Sequence, residues 1–342
     1  MIRLIRHILD ICILMGLVAG AVISVLALLG AFIPVFDVIN HFQIVIALLG
    51  LFALAMSFVW PSSVGALKSY GRLIVIFILC CSAVLLGPEL WGRFSHRNAD
   101  ETLALDAGKQ PLKLLSFNIY MGTWDRKALA GTVINADPDV AALQEFAPNR
   151  FKNQPDLKRV YPHQAKCQSW RVCTLTILSK HPLTDIKSYQ LGSSDQNNPL
   201  HGKLLAATVH MPGAVPFRLY NVHLAWPLPL AEKLKQLDRL LEIIESERKD
   251  TPMQVVSGDF NSTGWAFRVD QFARKADLMR RDRFVPTFPS PNSRIKRLSL
   301  PAFLSLDHIL TSPDIDAGAV VRVRSPIGDH WPIRTTLYLP QK

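Results

Sequence analysis

Three long apolar runs fall within the first 91 residues, and they constrain this chain more than anything after them. Ile11 to Val35 carries no charge and is rich in Leu, Val, Ile and Ala. Phe42 to Trp60 is a second such run, and Leu73 to Leu86 a third, extending to Trp91 with Glu89 near its end. A helix needs about 20 apolar residues to cross a bilayer core. The reading is three membrane-spanning helices. A cleaved signal peptide is the rival for the first run, but the run is long for one and further apolar segments follow directly.

Charge divides the chain at the same place. The first 90 residues hold four of the 38 Lys/Arg and three of the 27 Asp/Glu, so the basic excess lies beyond them. We expect a membrane anchor over 1–91, a polar linker over 92–110 and a soluble domain over 111–342. Arg3, Arg6, Lys68 and Arg72 flank the helices on one side, while the loop between the first two helices carries only Asp37. The positive-inside rule then leaves the C-terminal domain outside, with Arg93 and Arg97 as a minor counterweight. Cys167 and Cys173, a close pair in the soluble domain, suit a local disulfide in an oxidising compartment. The alternative is two reduced cysteines flanking a strand. A zinc site lacks a further Cys/His pair at ligand spacing.

Beyond the linker, short apolar strands interleave with a few helices, as in α/β or α+β layers. Strands are expected over Pro111–Asn118, Val140–Leu143, Val172–Leu178, Lys203–His210, Phe217–Leu224, Val255–Asp259, Ser305–Leu310 and Ile333–Leu339. Helices are expected over Asp125–Ala136, Pro227–Lys249 and Thr263–Ala276. The second of these has Leu230, Leu234, Leu237, Leu241 and Ile244 at three-four spacing, a surface helix lying on a sheet. No Gly-x-Gly-x-x-Gly or Walker loop is present in the sequence.

Polar side chains stand where the apolar strands end: Asn118, Glu145, Asn221, His223, Asp259, Asn261, Asp307, Asp329 and His330. Residues two apart on a strand share a face, so Asp259 and Asn261 can enter one site. Taken alone, Gly258-Asp259-Phe260-Asn261 is also an ordinary turn sequence. Burying so many ionisable groups separately would cost several kcal/mol, and a shared site explains them jointly. An oxygen-rich set without cysteine suits Mg²⁺, with Mn²⁺ as the alternative.

The series Ser116-Phe117-Asn118, Leu143-Gln144-Glu145, Asn221-Val222-His223-Leu224, Gly258-Asp259-Phe260-Asn261, Leu306-Asp307-His308-Ile309 and Gly328-Asp329-His330-Trp331-Pro332-Ile333 resembles the endonuclease/exonuclease/phosphatase superfamily. That group includes deoxyribonuclease I, apurinic endonucleases, neutral sphingomyelinases and inositol-polyphosphate 5-phosphatases. The motifs occur in family order across about residues 111–342. The membrane-anchored arrangement resembles its bacterial YafD-like branch, which implies a multi-pass protein of the inner (plasma) membrane with a periplasmic catalytic domain.

The resemblance implies a deoxyribonuclease I-like four-layer α/β sandwich, two packed mixed sheets flanked by helices. It implies Glu145 as the principal Mg²⁺ ligand, with Asn118 beside it and Asp329 near the metal. Asp259 would orient or deprotonate the attacking water, and Asn261 would hold a phosphate oxygen. His330, held by Asp307, would stabilise the transition state as a cation. His223 would contact phosphate or protonate the leaving oxygen. Tyr120 departs from the pattern, standing where many nucleases of the family carry a second acid. His308 reads as structural.

The implied activity is metal-dependent hydrolysis of a phosphodiester by an activated water. The substrate is either nucleic acid or a phospholipid head group. Arg280, Arg281, Arg283, Arg294, Lys296 and Arg297 read as a basic cluster that suits phosphates; anchoring favours a lipid. A rival of another class is a non-catalytic, membrane-tethered binding module on the same fold. A transport subunit is disfavoured, since the apolar helices carry no evident ion pair.

Overall fold

The computed structural model describes residues 2–60, 65–95, 104–105, 107–123, 125–146, 154–167, 174–192, 202–293 and 300–342. The chain separates into two compact units, Met1–Gly92 with Trp265–Arg268, and Arg93–Gly264 with Val269–Lys342.

In the first unit, α1 (Ile2–Leu29), α2 (Gln43–Val59) and α3 (Gly65–Ser95) are the main helices. Three stretches are long and apolar enough to cross a membrane: Leu4–Leu29, Pro34–Val59 and Lys68–Phe94. The first apolar run is therefore not one helix to Val35. It breaks at Gly30, where a Cβ would stand 2.8 Å from the Asp37 backbone, so the chain doubles back too closely for a side chain. Pro34 then opens a short helical turn, with its missing N–H at a position that needs none.

The second unit holds thirteen strands among the described residues. The first sheet orders β11 (Asp316–Ala317), β13 (Ile333–Leu339), β1 (Gln110–Asn118), β2 (Val140–Gln144), β4 (Thr176–Ser179) and β3 (His163–Lys166), with β12 (Val321–Arg322) also on β13. The second orders β5 (Leu183–Gln190), β6 (Lys203–Val209), β7 (Phe217–His223), β8 (Gln254–Asp259), β10 (Asp307–Thr311) and β9 (Met279–Arg280). Only β1/β2 and β7/β8 pair in parallel, so both sheets are mixed.

Side-chain alternation builds the layers. Along β1, Leu112 and Leu114 join Leu205, Val255, Ile309 and Leu337 in a core between the sheets. Leu115 and Phe117 turn the other way and meet Leu129 and Val133 of α4 (Arg126–Ala136). Asp125 caps that helix, its side chain accepting from the Ala128 N–H. On the far side, Leu204, Tyr220 and Val256 pack under Leu237, Leu240 and Ile244 of α6 (Leu230–Glu247) and Phe272 of α7 (Phe267–Lys275). A short α5 (Pro155–Val160) adds Leu157 to the α4 side. The result is helix, sheet, sheet, helix: the four-layer sandwich expected.

The buried strands coincide with the apolar runs of the sequence. The edge strands β3 and β5 do not. Leu183–Gln190 is partly exposed along most of its length and shifts register between Thr184 and Lys187, so it has no clean period to read.

Candidate active site

The site forms where β1, β2, β7, β8 and β10 end together. Register places it. On the second sheet Lys203, His223, Asp259 and Asp307 are successive cross-strand partners on β6, β7, β8 and β10. Partners in one row share a face, so a lysine, a histidine and two aspartates are drawn together. Asn118 and Glu145 come from the first sheet, and Asp259 meets them between the layers.

Glycine makes that approach possible. Gly258 has φ 148°, and a Cβ there would stand 2.0 Å from the Val222 carbonyl oxygen. Three non-glycine residues beside the site also hold positive φ: Tyr120 at 70°, Glu145 at 56° and Asn261 at 47°. Each such conformation costs on the order of 1 kcal/mol or more and persists where the surroundings fix it. Tyr120 and Asn261 are fixed by their own neighbours. The Tyr120 N–H donates to Asn118 Oδ1 at 3.0 Å, and the Asn261 N–H donates to Asp259 Oδ1 at 2.6 Å.

Asp259 is the centre of the arrangement. Its Oδ2 accepts from Asn118 Nδ2 at 2.9 Å, and the same amide donates to Glu145 Oε1 at 3.0 Å. His223 Nε2 lies 3.7 Å from that Oδ2 and 3.9 Å from Glu145 Oε1. His330 Nε2 lies 3.9 Å from the Asp259 carboxylate, and its Nδ1 lies 2.7 Å from Asp307 Oδ2. Burial opposes charge on the imidazole, but the Asp307 and Asp259 carboxylates prevail and push His330 up to about 10. That shift favours the protonated ring.

The other half of the site is a candidate for a divalent cation. Asp329 Oδ1 is buried and makes no hydrogen bond among the described residues. Burial, and then the negative charges of Glu145 and Asp259 against the opposing pull of His330, push Asp329 up to about 6. An oxygen-only donor set with excess negative charge suits a hard cation. Asp259, Asp307 and His330 also offer ligand atoms within 4.8 Å of one another. We favour the Glu145 side, because His330 Nδ1 and Asp307 Oδ2 already bind each other.

One expected member does other work, and His308 is structural as its sequence context suggests. Asn221 does not enter the site: its Nδ2 donates to the carbonyls of Leu143 and Thr176, both at 3.0 Å, and its Oδ1 accepts from Gln144 at 2.7 Å. It ties the two sheets together beneath Glu145 and His223. His308 faces away, with Nδ1 2.6 Å from Asp282 and Nε2 2.8 Å from the Ser262 carbonyl. Both ring nitrogens are engaged inside the fold, so its role is structural.

Lysines were missed. Lys233 of α6 is fully buried and donates to the carbonyls of Ala225 and Phe260, bracketing the loops after His223 and Asp259. Burial lowers it to about 7. Its helical spacing reads as a surface position, and no sequence signal marked it. Lys203 is also lowered by burial, against the pull of Glu145.

The basic cluster is corrected. Arg280 is 2% exposed and engaged by the Gly264 carbonyl and Asp270, Arg281 by Thr311 and the Ile315 carbonyl, and Arg283 by Asp270. These three hold the fold together rather than forming a phosphate-binding face. Arg294, Lys296 and Arg297 lie outside the described residues. Cys167 is disulfide-bonded, and Cys12, Cys80 and Cys81 are free; Cys173 lies outside the described residues.

Fold and site together define a class, a two-sheet sandwich that brings Asn, Glu, Asp and His to one end of both sheets. The sequence profile of the Endonuclease/Exonuclease/phosphatase family matches residues 115–330, and the chain belongs to that family. Its members are phosphoester hydrolases that depend on a divalent metal. Among solved structures, a family protein from Bacteroides thetaiotaomicron aligns with TM-score 0.53 and 17% identity, covering 68% of this chain and 100% of the other. Truncated TDP2 of Caenorhabditis elegans aligns with TM-score 0.52 and 17% identity, over 67% and 98%. A beta toxin mutant from Staphylococcus aureus, solved with bound magnesium ions, aligns with TM-score 0.51 and 16% identity, over 66% and 99%. No curated protein matches the chain significantly.

Proposed function

We propose that this chain is a membrane-anchored, divalent-metal-dependent phosphodiesterase that cleaves its substrate by in-line attack of water. One observation carries the reading. A single carboxylate, Asp259, is hydrogen-bonded to Asn118 on the Glu145 side and lies 3.9 Å from the His330 cation on the other. Phosphodiester hydrolysis needs an aligned water, neutralised phosphate oxygens and help for the departing alkoxide.

Glu145, with Asn118 and Asp329 alongside, would hold Mg²⁺, or Mn²⁺ in its place. The ion supplies charge neutralisation and Lewis acidity at the phosphate. Asp259 orients the water and takes its proton, with Oδ1 fixed by the Asn261 N–H. Asn261 Nδ2 donates one hydrogen to the Leu224 carbonyl at 2.9 Å; its second hydrogen is available to a phosphate oxygen. His330, held by Asp307, donates to the oxygen that gains charge in the transition state. His223, partly exposed, delivers a proton to the leaving oxygen. Tyr120 gives no second carboxylate, so a single glutamate anchors the cation, which Mg²⁺ tolerates because it keeps several waters.

We place the anchor at 1–91, the linker at 92–110 and the catalytic part at 111–342, on the outer side of the membrane. The disulfide at Cys167 supports an oxidising compartment. The test uses the full chain in detergent with bis-p-nitrophenyl phosphate and Mg²⁺. Hydrolysis is expected, abolished by EDTA and by Asp259→Ala. Equal behaviour of the wild type and that variant on every phosphoester would make the chain a binding module instead.

A further inference from the structure

Beyond residue 110, six large apolar side chains are exposed among the described residues: Met121, Trp226, Leu228, Met279, Leu300 and Val321. Isolated exposed apolar residues are ordinary on any surface. Three of these six are not scattered. Met121 follows Asn118 by three positions, and its N–H donates to Glu145 Oε2 at 2.7 Å. Trp226 follows His223 by three positions and Leu228 by five.

The loop carrying Trp226 is pinned to the site up to its last buried residue. The Leu224 N–H donates to the Asp259 carbonyl and its own carbonyl accepts from Asn261, both at 2.9 Å. Ala225 accepts from Lys233 and donates to Gln236. The next side chain is released to solvent, with Trp226 67% and Leu228 58% exposed. Three residues of chain span at most about 10 Å, so the indole stands within reach of a group esterified to a phosphate in the site. The loops that border the charged site thus carry exposed apolar side chains, an apolar lip.

Nucleic acid would ask for something else. Its repeated phosphates favour a basic surround, but Arg280, Arg281 and Arg283 are engaged inside the fold. Single-strand binding favours several aromatics interleaved with cations, and among the described residues this lip has one exposed aromatic, Trp226, beside a leucine and a methionine. A lipid offers one phosphate next to apolar matter, and tryptophan is a side chain suited to the level where polar and apolar regions of a membrane meet.

On the phosphodiesterase reading above, we infer that the substrate is a membrane phospholipid, whose phosphate enters the site while Met121, Trp226 and Leu228 rest against its apolar part. Attack of water forms one P–O bond and breaks another. The water's proton goes to Asp259 and a proton from His223 goes to the leaving oxygen, so the products are a phosphomonoester and an alcohol, one of them lipid.

The test compares the full chain in detergent on mixed micelles of phosphatidylglycerol and phosphatidylcholine, on bis-p-nitrophenyl phosphate, and on plasmid and single-stranded DNA, each with Mg²⁺. Trp226→Ala with Leu228→Ser is expected to lower the ratio of phospholipid to soluble-diester hydrolysis about tenfold or more, with Trp226→Phe retaining most of it. An unchanged ratio overturns the inference. So does cleavage of DNA that depends on Trp226 while phospholipid stays intact, which would make the lip a stacking surface. If bis-p-nitrophenyl phosphate is uncleaved, or is cleaved equally by Asp259→Ala, the phosphodiesterase reading itself fails and the inference falls with it.

Discussion

His330 Nδ1 lies 2.7 Å from Asp307 Oδ2, deep in the fold at the junction of two strand ends. The other ring nitrogen faces Asp259. One histidine is thus tied to one carboxylate, Asp307, and turned toward a second, Asp259, the proposed base. The pairing explains how an imidazole that is 5% exposed keeps its charge.

A pH profile follows from that pair. His330 is pushed up to about 10 by Asp307 and Asp259 against the burial penalty, so its raised value stabilises the fold fully below about 6.5, the ordinary histidine value. That contribution is lost as pH rises through about 10. Activity should therefore fall on the alkaline side near that value. Asp307→Asn should move this limb of kcat/KM down by about one unit or more. A limb that stays in place in the variant would remove His330 as the titrating group.

Asp329 is shifted in the same direction, but its contribution is already lost at neutral pH. Its carboxyl is raised to about 6, chiefly by burial. The stabilising contribution is therefore complete below about 3.8 and lost as pH rises through about 6, so at neutral pH the charge strains the metal-free protein. Asp329→Asn should raise the Tm of the EDTA-treated protein, by on the order of 1–3 kcal/mol of stability, while weakening Mg²⁺ activation. Calorimetry with and without Mg²⁺ reads both. A variant less stable than wild type in EDTA would mean that the carboxylate has a structural partner.

Gly258→Ala tests the approach of β8 to β7. The new Cβ would meet the Val222 carbonyl oxygen at 2.0 Å, on a backbone with φ 148°. Backbone cannot move aside as a flexible side chain can, so the loss should reach the upper end of the 1–3 kcal/mol typical of overpacking, or exceed it. Denaturant midpoints measure it. A cost below about 0.5 kcal/mol, the range of neutral surface changes, would show that the two strands separate easily.

How much of this was readable follows from where each residue lies. The strands buried on both faces, such as β1, β2 and β8, announce themselves as apolar runs that end in polar residues. Asp259 and Asn261 are legible as a pair because two positions on a strand share a side. The bond from Asn118 to Asp259 joins residues on different sheets, and no local spacing implies it; only the order of motifs resembling a known family did. Lys233 was illegible for a related reason. It occupies a helix whose charged residues normally face water, and the loops that bury it come from elsewhere. The arginines at 280, 281 and 283 misled because a run of like charge reads as surface, whereas each finds an acceptor once the strands pair.

Asn221 is the residue whose reading changed most, and it supports the last prediction. From sequence it belonged with the catalytic groups, two positions before His223. In the fold it bonds the carbonyls of Leu143 and Thr176 and the Gln144 amide, joining β7 to the opposite sheet. Asn221→Leu keeps the branched shape and leaves two carbonyls and one amide buried without this partner. Each such group costs about 1–3 kcal/mol, so a loss of several kcal/mol is expected. Gln144 precedes Glu145, and Asn221 stands one turn of the pleat from His223, so the tie also sets the distance between the proposed metal ligand and the proposed leaving-group acid. We expect kcat to fall and Mg²⁺ to be needed at higher concentration, with the alkaline limb of the pH profile unmoved, because Asp307 lies on β10 and His330 in the loop before β13. A shifted limb would mean that Asn221 reaches the chemistry directly.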